Sequence, residues 1–152
     1  MNPIKQKIVE TNYTRFDNYI EKADNKASFL LALNGAILIG IVLSSNNQVI
    51  KKFILSIIIL IVSMIIDFIV IIPRKSKKEL KSCFYYEYVK KLDINSYRGS
   101  INSIDSEEKL IEEFLKESRE IAIICSKKMY WVFISGILSA LGIIVTGIIS
   151  II

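Results

Sequence analysis

The sequence contains no histidine, two cysteines and six glycines, and each shortage closes off a chemistry. Without histidine the chain lacks the commonest general base and metal ligand. Cys83 and Cys125 stand 42 positions apart with no CxxC pair, a spacing that supplies no zinc site. In a reducing cytoplasm they read as packing residues, not as a disulfide. The glycines, at 35, 40, 99, 136, 142 and 147, make neither a phosphate loop nor a dinucleotide fingerprint. Acidic residues are plentiful, but Glu107, Glu108, Glu112, Glu113, Glu117 and Glu120 read as the solvated face of one helix. The expectation is a protein that is not an enzyme and holds no metal and no cofactor.

Apolar sequence is abundant and comes in three runs, residues 27–43, 53–72 and 130–152, of 17, 20 and 23 residues. Crossing a hydrocarbon core of roughly 30 Å takes about 20 helical residues. In lipid each backbone N–H and C=O must be satisfied within its own segment, so the spans are helices despite their isoleucine content. The fold class is an all-α integral membrane protein, with three transmembrane helices and a small cytoplasmic helical bundle. The first run starts late and follows the mixed charges of Glu10, Asp17, Glu21 and Asp24, which does not suit a cleavable signal peptide.

Lysine and arginine set the orientation. Residues 1–26 carry five, the 44–52 loop two and the 73–129 segment thirteen. By the positive-inside rule the first and third of these are cytoplasmic, and the loop and the C-terminus are external. The net charge of +5 suits an anionic inner leaflet and does not call for nucleic acid. The charge pattern implies a multi-pass protein with its N-terminus inside and its C-terminus outside.

The cytoplasmic segments are patterned. Residues 4–26 read as a helix with Ile8, Asn12, Phe16, Ile20 and Ala23 on one face, running into the first span without Pro or Gly before Gly35. A second helix is expected over 77–92, then a polar loop over 93–103. A third helix starts near Ser103 or Asp105, with Glu107 and Glu108 at its positive end, and continues into the last span. About 80 cytoplasmic residues are too few for a large independent core, so they pack with the spans or across subunits.

Several polar residues inside the runs require an explanation. Asp67 is the only acidic or basic side chain within them, and a carboxyl in hydrocarbon is costly. It either pairs with Arg74 or Lys75 and reaches interfacial water, or lines a polar seam between subunits. Ser56 and Ser63 share its helical face, seven and four residues apart in turn, and Asn34 takes an amide into the first span. In the third span Gly136 and Ala140 form a small-xxx-small pair that permits close helix approach.

The most distinctive local sequence joins the first helix to the first span, Ala23-Asp24-x-Lys26-Ala27-Ser28-x-Leu30-Leu31-x-x-Asn34. It resembles the opening motif of the Pycsar-type transmembrane effectors of bacterial anti-phage defence. The layout is similar too: a helix, two close spans, a cytoplasmic helical segment, and a last span after Lys127, Lys128, Tyr130 and Trp131. The resemblance implies a homo-oligomeric receptor for a cyclic pyrimidine mononucleotide such as cUMP or cCMP. A cognate nucleotide cyclase makes that messenger, as a functional and not a physical partner. Binding then disrupts the membrane and causes abortive infection. A cyclic phosphate wants Lys or Arg, a base an aromatic face, and a ribose or base edge Asp or Asn. Arg15, Tyr19, Asp24, Lys26, Tyr97 and Arg98 are the candidate ligand-binding residues, with Tyr97 and Arg98 in the expected loop. Asn34, Ser56, Ser63 and Asp67 are the candidate membrane seam. The alternative is a ligand-independent holin-like pore or a membrane-anchored interaction module.

Reporter fusions test the orientation. A reporter placed within residues 45–48 should score as external and one within 80–125 as internal. An external score for the second would reverse the topology and remove any cytoplasmic ligand.

Overall fold

The computed structural model describes residues 3–44, 47–73, 83 and 86–151. Among these every element is helical: α1 (Pro3–Ser44), α2 (Asn47–Ile71), α3 (Tyr86–Val89), α4 (Ile94–Asn102) and α5 (Glu107–Ile151). α1, α2 and α5 are each long and apolar enough to cross a membrane. α1 and α5, of 42 and 45 residues, run on well beyond the ~20 residues a bilayer needs.

Several boundaries differ from the sequence reading. The loop expected over 44–52 is shorter, because α2 starts at Asn47 and already contains Lys51 and Lys52. Half of the helix expected over 77–92 lies outside the described residues; what is seen is the single turn of α3, closed by bonds from Lys91 N to Tyr88 O and from Leu92 N to Val89 O. The 93–103 stretch is not a loop but α4, because Asp93 caps it. Its carboxylate accepts from the backbone N–H of Asn95 at 2.9 Å and of Ser96 at 2.8 Å, and from Ser96 Oγ at 3.0 Å. Those bonds to the charged form hold the Asp93 carboxyl below its ordinary pKa. No residue of α4 is buried, so the cap and local bonds, not packing, define it. Ser103 closes α4 instead of opening the next helix. α5 begins later, where Ser106 Oγ accepts from Lys109 N.

The chain forms two compact units, Met1–Ile20 with Arg74–Ser126, and Glu21–Pro73 with Lys127–Ile152. The second contains the three spans. Its buried side chains follow alternating steps of three and four. On α2 they are Phe53, Ser56, Leu60, Ser63, Asp67 and Val70; on α5, Lys128, Val132, Ser135 and Ser139 lead to the buried Gly142. On α1, Ala23, Ala27, Asn34 and Ile41 fit the same repeat. This is the 3.5-residue period of helices that coil left-handed about one another. Two apolar clusters are interleaved with the polar positions. Ala23, Ala27, Val70 and Val132 form one, and Ile41, Phe53 and Leu60 the other. The outer faces stay apolar and uncovered, with Phe29, Leu43, Phe68, Phe133 and Ile144 all more than half exposed, as spans facing lipid require.

In the first unit Val9 and Ile111 are buried and Tyr13 meets Phe114 edge-on, with ring centroids 6.0 Å apart. Ile8, expected on the packed face, is exposed, and Val9 takes its place. Val9 lies on the repeat that continues to Ala23, so the heptad fixes the face. The expected glutamate face holds for Glu107, Glu108 and Glu112, which are exposed, but Glu117 turns inward and is 7% exposed.

At Gly142, α5 packs tightly against Leu60 of α2. A Cβ there would stand 2.7 Å from Leu60 Cδ2 and 2.9 Å from Cγ, and Leu60 is fully buried. At Gly136 the nearest atom, Leu30 Cδ1, is 4.0 Å away. Gly142→Ala should therefore destabilise the detergent-solubilised protein by about 1–3 kcal/mol, as overpacking does, while Gly136→Ala leaves it unchanged. Thermal unfolding of both variants, with Leu60→Ala as the relieving second change, measures the difference.

Candidate functional site

The spans enclose a column of polar side chains. Asn34 on α1 donates from Nδ2 to Ser63 Oγ at 3.1 Å and to Ser139 Oγ at 2.8 Å. Ser63 Oγ lies 2.8 Å from both Ser139 Oγ and Ser135 Oγ, and Ser135 Oγ donates to Asp67 Oδ1 at 2.5 Å. Donors thus lead from the amide of α1, through hydroxyls of α2 and α5, to the carboxyl of α2. Further along, Ser56 Oγ donates to the Gly142 carbonyl at 3.0 Å and contacts Thr146 Oγ1. Hydroxyls and amides give such contacts about 1 kcal/mol each between membrane helices. The column is not fully satisfied: Asn34 Oδ1 and Asp67 Oδ2 are buried and have no partner among the described residues. An unmet buried polar atom costs about 1–3 kcal/mol.

All four seam residues expected from sequence, Asn34, Ser56, Ser63 and Asp67, are fully buried here. Their partners lie on α1, α2 and α5 of one chain, so the seam expected between subunits is filled within the chain. Asp67 takes a hydrogen bond from Ser135; Arg74 and Lys75, the other partners expected for it, lie outside the described residues. Sequence reasoning missed Ser135, Ser139 and Thr146 as partners because it fixed on the small pair Gly136 and Ala140. Those two line an outward apolar groove of about 600 Å³ with Phe29, Leu30 and Ile137. The heptad spacing of Lys128, Ser135 and Gly142 was the available signal.

The second feature of this unit is an ion pair. Lys128 Nζ lies 2.6 Å from Asp24 Oδ1, with the lysine side chain 3% exposed and the aspartate 31%. It links the two stretches that carry the family resemblance. Lys26, two residues from Asp24, is exposed and lies on the rim of the apolar groove.

The remaining candidate ligand residues belong to the first unit. Arg15 is exposed and lines a shallow groove along α1 with Lys7, Ile8, Thr11 and Asn12. Tyr19 is 39% exposed. Tyr97 and Arg98 sit on α4, Tyr97 half-buried and Arg98 exposed. None of these lines a cleft of about 360 Å³ in this unit, walled by Cys83, Tyr88, Ser100, Ser103, Lys109, Glu112 and Glu113. Its cation is committed, since Lys109 bonds Asp105 at 2.9 Å. Among the described residues no group of His, Cys, Asp and Glu is placed to hold a metal ion.

Glu117 belongs to the same unit. Its Oε2 and the Oγ of its neighbour Ser118 are buried without partners among the described residues. Burial, reinforced by Glu113, raises the Glu117 pKa, and burial with Glu117 and Asp17 raises that of Tyr13. A carboxyl whose pKa is raised by folding stabilises the fold while protonated, below its unfolded pKa. That contribution is lost as pH rises through the folded value. Glu117→Gln should flatten this decline and raise the melting temperature at neutral pH while leaving it unchanged in acid. Thermal unfolding across the acid-to-neutral range reads this directly, and identical profiles for variant and parent would contradict it.

A family model described as the Pycsar effector protein domain matches residues 8–152. No curated protein and no solved structure matches the chain.

Proposed function

The chain belongs to the Pycsar effector family and is a multi-pass anti-phage membrane effector; from that premise we propose that it senses a cyclic nucleotide through its cytoplasmic part and disrupts the inner membrane. The favoured ligand is a cyclic pyrimidine mononucleotide such as cUMP or cCMP. In this reading the N-terminus and residues 73–129 are cytoplasmic and the C-terminus external. The chain performs no catalysis, acts as a homo-oligomer in contact with membrane lipid, and depends on a cyclase that supplies the messenger.

The observation that carries the membrane half of this reading is the column with its unmet Asn34 Oδ1 and Asp67 Oδ2. Three helices packed on one another leave no lumen, so the closed chain conducts nothing. Its polar groups are nevertheless lined up along the inner faces of all three spans. If the helices part, those faces meet water or the faces of neighbouring chains, and the unmet oxygens gain partners. The polar surface of a lesion is thus already built into the closed bundle.

Leakage from dye-loaded liposomes tests this reading. The parent should leak when cUMP or cCMP is added. Asp67→Asn, which keeps shape and polarity, should alter the ion preference of the leak, and Asp67→Leu should abolish it while oligomers still form. Leakage by Asp67→Leu equal to the parent would separate the column from membrane damage. The same leakage without any nucleotide would favour the holin-like alternative.

A further inference from the structure

A cyclic nucleotide carries a phosphate, and several of the described cations are poorly placed to hold one. In the cleft of the first unit Lys109 is held by Asp105, and Glu112 and Glu113 share the walls, so the local charge opposes an anion. Arg15, Lys26 and Arg98 are exposed, where a single ion pair in water yields little. Lys128 differs from all of these. Its ammonium is almost wholly buried, its partner carboxylate is close, and that carboxylate is the more solvent-exposed half of the pair. An anion arriving from water meets Asp24 before it meets Lys128.

We propose that Lys128 is a phosphate-binding site occupied, in this state, by the chain's own carboxylate: Asp24 stands in for the ligand's phosphate and is displaced by it. This rests on the reading that a cyclic nucleotide is the signal, and it locates where the charge of that signal is read. Carboxylate and cyclic phosphate each present two oxygens sharing one negative charge, so either satisfies the buried ammonium through charge-assisted hydrogen bonds. Simply removing Asp24 would leave that ammonium unpaired, which is strongly unfavourable; exchanging one anion for another does not.

The exchange has a mechanical consequence. Asp24 is tethered to α1, so its bond to Lys128 ties α1 to α5, whereas a free phosphate ties α5 to nothing on α1 but what the ligand itself contacts. The adjoining layer is Ala23, Ala27, Val70 and Val132, in which α1 supplies only methyl groups. Seven residues after Lys128 comes Ser135, the donor to Asp67. Releasing Asp24 therefore loosens α1 next to the polar column, through contacts that all belong to one unit.

Calorimetric titration of the full-length protein in detergent tests the site, using cUMP, cCMP, sodium phosphate and, separately, phosphatidylglycerol vesicles. Asp24→Asn removes the competing charge and should tighten the cyclic nucleotide about tenfold, as freeing an occupied site does. Lys128→Gln should lose binding. The neutral pair Asp24→Asn/Lys128→Gln supplies a variant without an unpaired charge, and it too should fail to bind. Parent-like affinity in Lys128→Gln or in the double variant overturns the site. A parent that binds neither nucleotide defeats the nucleotide reading alone. In that case, tighter binding of phosphate or of vesicles by Asp24→Asn than by the parent upholds the anion site, with the binding arm naming the source. Equal binding in both arms overturns it.

Discussion

Everything in the membrane part of this protein depends on one constraint: polar side chains in hydrocarbon must find one another. Asn34, Ser56, Ser63, Asp67, Ser135, Ser139 and Thr146 are spread over three helices and bond across them, although Thr146 also donates to the Gly142 carbonyl of its own helix. Only one azimuth of each helix brings them together, and the alternating three-and-four spacing keeps that azimuth constant along the length. The apolar layers interleaved with these side chains fill in around it. Lipid offers no hydrophobic force to bring helices together, so the polar contacts and the close approach at Gly142 select the packing.

The same constraint explains why the bundle suits an effector. A fully apolar bundle would be a stable anchor with no alternative arrangement. This one carries two buried oxygens, Asn34 Oδ1 and Asp67 Oδ2, without partners among the described residues, which lowers the cost of opening relative to staying closed. It also carries a partly exposed ion pair where α1 and α5 meet, the point at which the proposed anion would act on helix packing. Its outer surface, lined by residues such as Phe29, Phe68 and Phe133, is committed to lipid whatever the inner faces do.

Sequence alone carried the all-helical, three-span architecture and the family, because run length and an order-specific motif survive without coordinates. It also found the polar members of α1 and α2, since an amide and a carboxyl stand out in apolar runs. It placed the seam between subunits because the partners on α5 are serines and a threonine, ordinary in any membrane helix and distinctive only by their heptad register. Lys128 was visible only as part of a basic-aromatic stretch; its burial is a tertiary fact. The stretch over 93–103 was misread as loop because its composition is that of loops, while one aspartate at its head caps a helix. Glu117 was assigned to solvent with its neighbours because a run of glutamates conceals the single one that sits beside the inward face.

In the proposed mechanism the polar column closes within one chain and opens for the membrane to fail. Ser63 and Ser139, whose hydroxyls are 2.8 Å apart on α2 and α5, provide the test. In a background with Cys83 and Cys125 changed to serine, Ser63→Cys/Ser139→Cys should oxidise to a crosslink within one chain that migrates as a monomer. In liposomes the oxidised protein should not leak when cyclic nucleotide is added, and reduction should restore the leak. A crosslink that forms only between chains, or an internally crosslinked protein that leaks as the reduced one does, would contradict the account.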